Sequence, residues 1–184
     1  MMSEICSRTA LALLLTLIAN SAKAFDSLAL TVGNGMNDTL IQSGDISTAH
    51  IIGVDGFIES EFPKAIRFLK VDQTFINIHA ASAQSRKDTE AYDQLELAAI
   101  SALWRWRGET AFADAGIGLA YLSEQRFEEV KMGSKANFVL DFALGVQWSA
   151  NLDISLRYRH YSNGYTESPN PGLDFLVLQT AFHF

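Results

Sequence analysis

Between residues 136 and 148 the chain alternates apolar and polar side chains without a break. Phe138, Leu140, Phe142, Leu144, Val146 and Trp148 fall on one parity, with Asn137, Asp141, Gly145 and Gln147 on the other. Successive side chains of a strand point to opposite faces, so a dozen residues of this period predict a β-strand with one wholly apolar face. The same period recurs. From 110 to 122 the odd positions Ala111, Ala113, Ala115, Ile117, Leu119 and Tyr121 are apolar, opposite Thr110, Asp114, Gly116 and Gly118. From 151 to 163, Leu152, Ile154, Leu156 and Tyr158 oppose Asp153, Ser155, Arg157 and Arg159. A chain of such strands must bury its apolar faces against one another or present them to lipid.

Other segments complete a set of eight. Residues 26–33 and 48–58 predict strands with Leu28, Leu30, Val32, Ile52, Val54 and Ile58 outward. Residues 92–106 alternate in part, with Leu95, Leu97, Ala99 and Leu103 expected outward, opposite Gln94 and Glu96. A further strand, of unassigned register, is expected within 66–79, and the last closes the set with Leu176, Leu178, Thr180, Phe182 and Phe184 on one face. Tight turns at Arg107-Gly108-Glu109 and Ser149-Ala150-Asn151, with a short one from Glu59 to Ala65, alternate with longer polar connections near 34–47, 80–91, 123–135 and 163–172. Short turns at one end and long loops at the other are the outer-membrane arrangement. The expected fold is therefore all-β, an eight-stranded antiparallel transmembrane β-barrel of the outer membrane. Trp104, Trp106, Trp148 and Phe184 would mark its periplasmic interface, and Tyr121, Tyr158 and Tyr165 the outer one. A soluble lipocalin-like barrel would turn the apolar row inward and would need no terminal Phe.

Composition agrees. Arg8, the apolar run from Ala10 to Ala19 and Ala22-Lys23-Ala24 read as an export signal over residues 1–24, cut before Phe25, leaving the barrel in 25–184. The one cysteine, Cys6, lies in that segment, so no disulfide is expected in the exported chain. Of 14 basic and 21 acidic residues in all, Arg8, Lys23 and Glu4 leave with the signal, and a net charge near −8 argues against nucleic acid as a partner. The inward charges Asp55, Glu96, Asp114, Asp141, Asp153, Arg157 and Arg159 are expected to pair as a lumen network.

Chemistry enters at the end of the 151–163 strand. His160 and Ser162 continue its apolar row and would sit where hydrocarbon gives way to headgroups. If the 163–172 loop closes symmetrically, Asp174 lies directly opposite His160, about 4.5 to 5.5 Å away at Cβ. Ser162 as nucleophile, His160 as base and Asp174 as orienting acid would form a lipid-facing hydrolytic triad. The same three residues are also what a hydrated barrel rim would contain. Glu167 is a rival carboxylate, placed at the loop tip with no partner in that register. His50, His79 and His183 form no metal-ligand spacing, and no metal or cofactor is expected.

His160-Tyr161-Ser162-Asn163, then Pro169-Asn170-Pro171-Gly172 and the carboxylate at 174, resemble the lipid A 3-O-deacylase (PagL) family. The resemblance extends upstream through Ala115–Ala120 and Gly133–Gly145, covers about the C-terminal half, and holds only in outline over 26–91. It implies an outer-membrane ester hydrolase that removes the 3-O-linked 3-hydroxyacyl chain of lipid A without a cofactor, by a Ser-His-Asp triad. By motif position it assigns Ser162 as nucleophile, His160 as base and Asp174 as acid, with Asn163 and Asn170 shaping the site or the oxyanion hole. Its substrate would be lipid A within lipopolysaccharide. Two departures stand out: the family pattern has Glu where this chain has Asp174, and Tyr165 occupies a place expected to hold a small residue. An outer-membrane phospholipase, or a non-catalytic small barrel with a structural or surface-binding role, remain alternatives, and the residues leave homo-oligomer formation open.

Overall fold

The computed structural model describes residues 24–37, 44–61, 70–86 and 93–184. The expected export segment lies outside the described residues except for Ala24. Among the described residues ten strands follow in order: β1 (Ser27–Gly35), β2 (Ala49–Glu59), β3 (Gln73–Ser85), β4 (Gln94–Arg107), β5 (Ala111–Leu122), β6 (Arg126–Phe127), β7 (Val130–Lys131), β8 (Ala136–Ser149), β9 (Leu152–Ser162) and β10 (Leu173–His183). Eight of them close a barrel in the order β1-β10-β9-β8-β5-β4-β3-β2, and β6 and β7 form a separate hairpin. Every barrel pairing is antiparallel. Closure removes the free edges that a lipid environment would leave without hydrogen bonds.

The outward rows are those the alternation predicts in β1, β2, β5, β8, β9 and β10. Leu30, Val54, Ile117, Leu156 and Leu178 are exposed, and Leu144 is 72% exposed, while the opposite parity is buried. Two expectations are corrected. The strand sought within 66–79 is β3, which runs from Gln73 to Ser85. Its pairing with β2 runs from Ala49 opposite Ser85 to Glu59 opposite Phe75, and its start is set by β4, with Gln73 opposite Arg105. The β2–β3 connection therefore spans 60–72 and is not the short turn expected at 59–65.

The parity of β4 is also reversed. Leu95, Leu97 and Leu103 point inward and are buried, whereas Ile100 and the flanking even positions face out. Glu96 consequently leaves the expected lumen set. It faces outward, where its Oε1 accepts hydrogen bonds from Ser82 Oγ (2.9 Å) and Gln94 Nε2 (2.8 Å). The reason is visible inside the barrel: its extracellular half is filled with apolar side chains, so Leu95 and Leu97 are drawn into that core and Gln94 and Glu96 are left on the outer face.

Three layers fill the interior. At the long-loop end Ile46, Leu95, Leu122, Tyr161, Leu173 and Phe175 form one core. The β6–β7 hairpin inserts Phe127, Val130 and Met132 into it, so the 123–135 connection is a plug and not only a polar loop. At the short-turn end Phe57, Phe75 and Leu103 form a second core.

Between them lies the charged layer. Arg157 donates to Asp141 (2.5 Å) and Asp114 (2.7 Å), and Arg159 to Asp141 (3.0 Å) and Asp55. Arg105 donates to Asp114 (2.7 Å) and Asp153 (2.9 Å). Arg159 also donates to the His79 ring, 2.8 Å from Nδ1. Burying these charges gains little net stability, but removing one partner strands the others, so the network enforces one register. Arg105 and His79 join a set that periodicity alone had not assigned them to. His183 sits on the lumen side near the short-turn end, 3.0 Å from Asp153.

Candidate active site

β9 and β10 meet in the register that a symmetric loop requires, with Asp174 opposite His160 and Leu173 opposite Tyr161. Both side chains of the first pair belong to the outward rows, His160 continuing Leu156 and Tyr158, and Asp174 continuing Leu176 and Leu178. They are nonetheless enclosed: His160 is 3% exposed and Asp174 0%. Nδ1 of His160 lies 2.6 Å from Oδ1 of Asp174. A carboxylate only accepts, so the ring N–H donates to it and Nε2 keeps its lone pair. That nitrogen is the one a general base needs. Ser162 follows two positions on, along the same face and partly exposed, opposite Phe138 of β8.

The connection from 163 to 172 is ordered by Asn163, which is fully buried. Its Nδ2 donates to the carbonyls of Glu167 (2.9 Å) and Pro169 (3.4 Å), and its Oδ1 accepts from the Tyr165 N–H (3.0 Å). Its backbone N–H donates to Asn170 Oδ1 (2.8 Å). The two asparagines are thus brought together, with Asn163 spending its side-chain donors on the loop. Tyr165 is 80% exposed and has φ +61°, a left-handed conformation in which a bulky residue is disfavoured. That backbone explains why a small residue is expected there.

Two glycines permit the packing. Gly172 has φ +70°, and a Cβ there would lie 2.7 Å from Cε1 of His160. A Cβ on Gly133, in the β7–β8 connection, would lie 2.8 Å from the Pro169 carbonyl oxygen and 3.0 Å from Asn163 Nδ2. The Gly133 N–H instead donates to that carbonyl (2.7 Å). Nothing in the spacing of the chain marks Gly133 as a support of the 163–172 loop, because the contact crosses from one long loop to another. The β1–β2 connection adds the Met36 N–H bonded to the Asp174 carbonyl (2.9 Å) and that of Gly44 to Gly172 (3.1 Å). Glu167 stays at the loop tip, exposed and remote in register from His160. Among the described residues, no three His, Cys, Asp or Glu side chains converge as metal ligands.

The family model for lipid A 3-O-deacylase (PagL) matches residues 71–183, from just before β3 to the end of β10. The chain belongs to the PagL family. Lipid A deacylase PagL of Bordetella bronchiseptica is 37% identical over 79 residues, 43% of this chain and 44% of that protein. The protein of the same name from Pseudomonas aeruginosa is 33% identical over 67 residues, 36% of this chain and 39% of its own. The matched stretches thus span less than half of each relative. The crystal structure of the outer membrane enzyme PagL superposes with a TM-score of 0.61 at 16% identity, covering 86% of this chain and 99% of that one. Neisserial surface protein A gives 0.54 at 12% identity, with 86% and 96% covered.

PagL family membership and this architecture place the chain in the outer membrane. The fold alone does not select an activity, since the same barrel carries both a PagL enzyme and a surface protein. Any assignment of chemistry has to rest on the residues at the end of β9 and β10, all of which fall within the PagL match.

Proposed function

We propose that the chain hydrolyses the ester at position 3 of lipid A, with Ser162 as nucleophile, His160 as general base and Asp174 as orienting acid. The observation that carries this reading is the enclosed His160–Asp174 hydrogen bond of 2.6 Å on the outward face of a lipid-facing barrel, two residues from an accessible serine. A satisfied structural histidine would be expected to face the core. This one faces the membrane at headgroup level, above the exposed apolar row of Phe142, Leu144, Leu156 and Leu176 that acyl chains can lie against.

In this mechanism His160 Nε2 takes the Ser162 proton as Oγ attacks the ester carbonyl. Collapse of the tetrahedral intermediate expels the sugar oxygen, which takes that proton from the imidazolium, and leaves an acyl-Ser162 ester. Water, deprotonated by His160, then attacks the acyl carbon; Ser162 recovers its proton and a 3-hydroxy fatty acid leaves. Asp174 stabilises the imidazolium in both halves. Asn163 holds the loop, and Asn170, whose amide nitrogen is not spent on the Asn163 bond, is the side-chain donor offered to the developing oxyanion. One such donor is worth roughly 2.7 to 4 kcal/mol. Asp174 reaches the ring because it stands directly opposite, so the longer Glu of the family pattern is not required here.

The test is to produce the wild type and Ser162→Ala in a Gram-negative host and weigh lipid A by mass spectrometry. The wild type removes one 3-hydroxyacyl group and Ser162→Ala, at equal levels of folded barrel, removes none. Intact lipid A with both would overturn the proposal; fatty acid released from phospholipid instead would assign the same residues to a phospholipase.

A further inference from the structure

A second polar cluster interrupts the lipid-facing surface on the same side of the barrel. Asn34 of β1 lies directly opposite His50 of β2, and His50 lies opposite Gln84 of β3. Arg86 follows β3 at the diagonal position, its backbone N–H bonded to the Thr48 carbonyl (3.2 Å). Asn34, His50 and Arg86 line one open cleft of 610 Å³ walled by Val32 and Ile52. Nδ1 of His50 is buried without a hydrogen-bond partner among the described residues. The exposed Arg86 guanidinium has no ion-pair partner among the described residues. In a chain of net charge −7, an arginine beside an imidazole and an amide is a locally basic patch. All three can donate, and a tetrahedral oxyanion offers acceptors for all of them.

From these residues we infer that the Asn34–His50–Arg86 cleft is a subsite for a phosphate group on the head of an outer-leaflet lipid. The inference deepens the deacylase reading and rests on it for the identity of that lipid. Its position fits. β1 lies between β10 and β2, so the cleft is two strand spacings, about 10 Å, around the barrel from Asp174. It sits at the extracellular ends of its strands, just above Val32 and Ile52, as the Ser162 site sits above Phe142. The substrate head is a phosphorylated sugar, so one molecule can place its ester at Ser162 and a phosphate in the cleft while its chains lie on the apolar wall between. The phosphate contact would then orient the sugar and select the ester that reaches Ser162.

Binding is measured first on the Ser162→Ala barrel, where no turnover intervenes. Purified barrel is titrated in detergent micelles with phosphorylated lipid A and with the same lipid stripped of phosphate, and bound lipid is counted by native mass spectrometry. Inorganic phosphate serves as competitor. The expected result is about tenfold tighter binding of the phosphorylated lipid, lost in Arg86→Ala and in His50→Ala and partly restored in Arg86→Lys. Equal affinity for the two lipids, or a preference that survives both alanine substitutions, would overturn the proposal. So would complete displacement of the phosphorylated lipid's advantage by millimolar inorganic phosphate, which would mark a free-anion site. An arginine that only anchors the barrel at the interface would show no discrimination between the lipids. Heat-modifiable gel mobility confirms that each variant is a folded barrel.

In the active chain, the ratio of KM values for the two lipids collapses toward one in Arg86→Ala. If the active chain cleaves neither lipid, the deacylase reading fails while the binding result still decides the subsite.

Discussion

Replacing Asp174 with Asn changes one atom type in an enclosed pair and leaves its volume nearly constant. In the wild type the Asp174 carboxylate accepts from Nδ1 of His160 at 2.6 Å, with both groups almost wholly removed from solvent. Two contributions are lost. The first is the attraction between carboxylate and the imidazolium formed during attack. At a charge separation of about 4 Å and an effective dielectric of about 20 it amounts to about 4 kcal/mol, or about a thousandfold in rate. The second is tautomer control, because an amide can donate to Nδ1 and so turn the ring N–H toward Ser162. The corresponding change in a serine protease lowers kcat by about 10⁴. Asp174→Asn is therefore expected to lower kcat by a factor of about 10³ to 10⁴, with KM little changed, since the acid does not touch the lipid. The assay is initial-rate release of 3-hydroxy fatty acid from lipid A in detergent, with folded barrel quantified by heat-modifiable mobility. A variant within tenfold of wild type would refute the role of Asp174. A loss confined to KM would show that the pair shapes binding and not proton transfer. Asp174→Glu adds a methylene where the pair is already closed and fully buried, and overpacking of about 1 to 3 kcal/mol predicts a smaller loss, of roughly five- to 150-fold.

Other substitutions probe the framework. Gly172→Ala places a Cβ 2.7 Å from the His160 ring in a backbone of positive φ, so activity falls at least about a hundredfold while the barrel persists; activity near wild type would show that the ring can shift freely. Arg157→Met removes one of the two guanidinium partners of both Asp141 and Asp114 in the buried layer and should cost about 3 to 5 kcal/mol in urea unfolding from lipid vesicles, an expectation that fails if the loss is below 1 kcal/mol. Leu144→Arg, on the lipid face between Phe142 and Trp148, should cost about 2 to 4 kcal/mol in the same assay, and a neutral effect would contradict the assigned face. Tyr165→Gly relieves a left-handed backbone worth roughly 1 to 2 kcal/mol and should raise loop order, read as slower amide exchange at Thr166 and Asn163.

Local periodicity determined most of this architecture because a barrel wall has two chemically different sides. Where lipid lies on one side and charge on the other, as in β5, β8 and β9, parity alone states which residue faces where. The His160–Asp174 pairing was legible for the same reason: a hairpin register follows from loop symmetry, and residue pairs then follow by counting. Tertiary structure decided what parity could not encode. In β4 each row mixes apolar and polar residues, and only assembly decides that Leu95 and Leu97 meet the core beneath the β6–β7 plug and Leu103 the short-turn core while Ile100 faces lipid. In β3 a run of small residues carries little polarity contrast, and its limits come from the hydrogen-bonding partners on β2 and β4. The loop contacts of Gly133, the enclosure of Asp174 and the convergence of Asn34, His50 and Arg86 all join positions far apart in the chain. Such contacts depend on where closure of the barrel brings its ends, a property of the whole sheet and of no single segment.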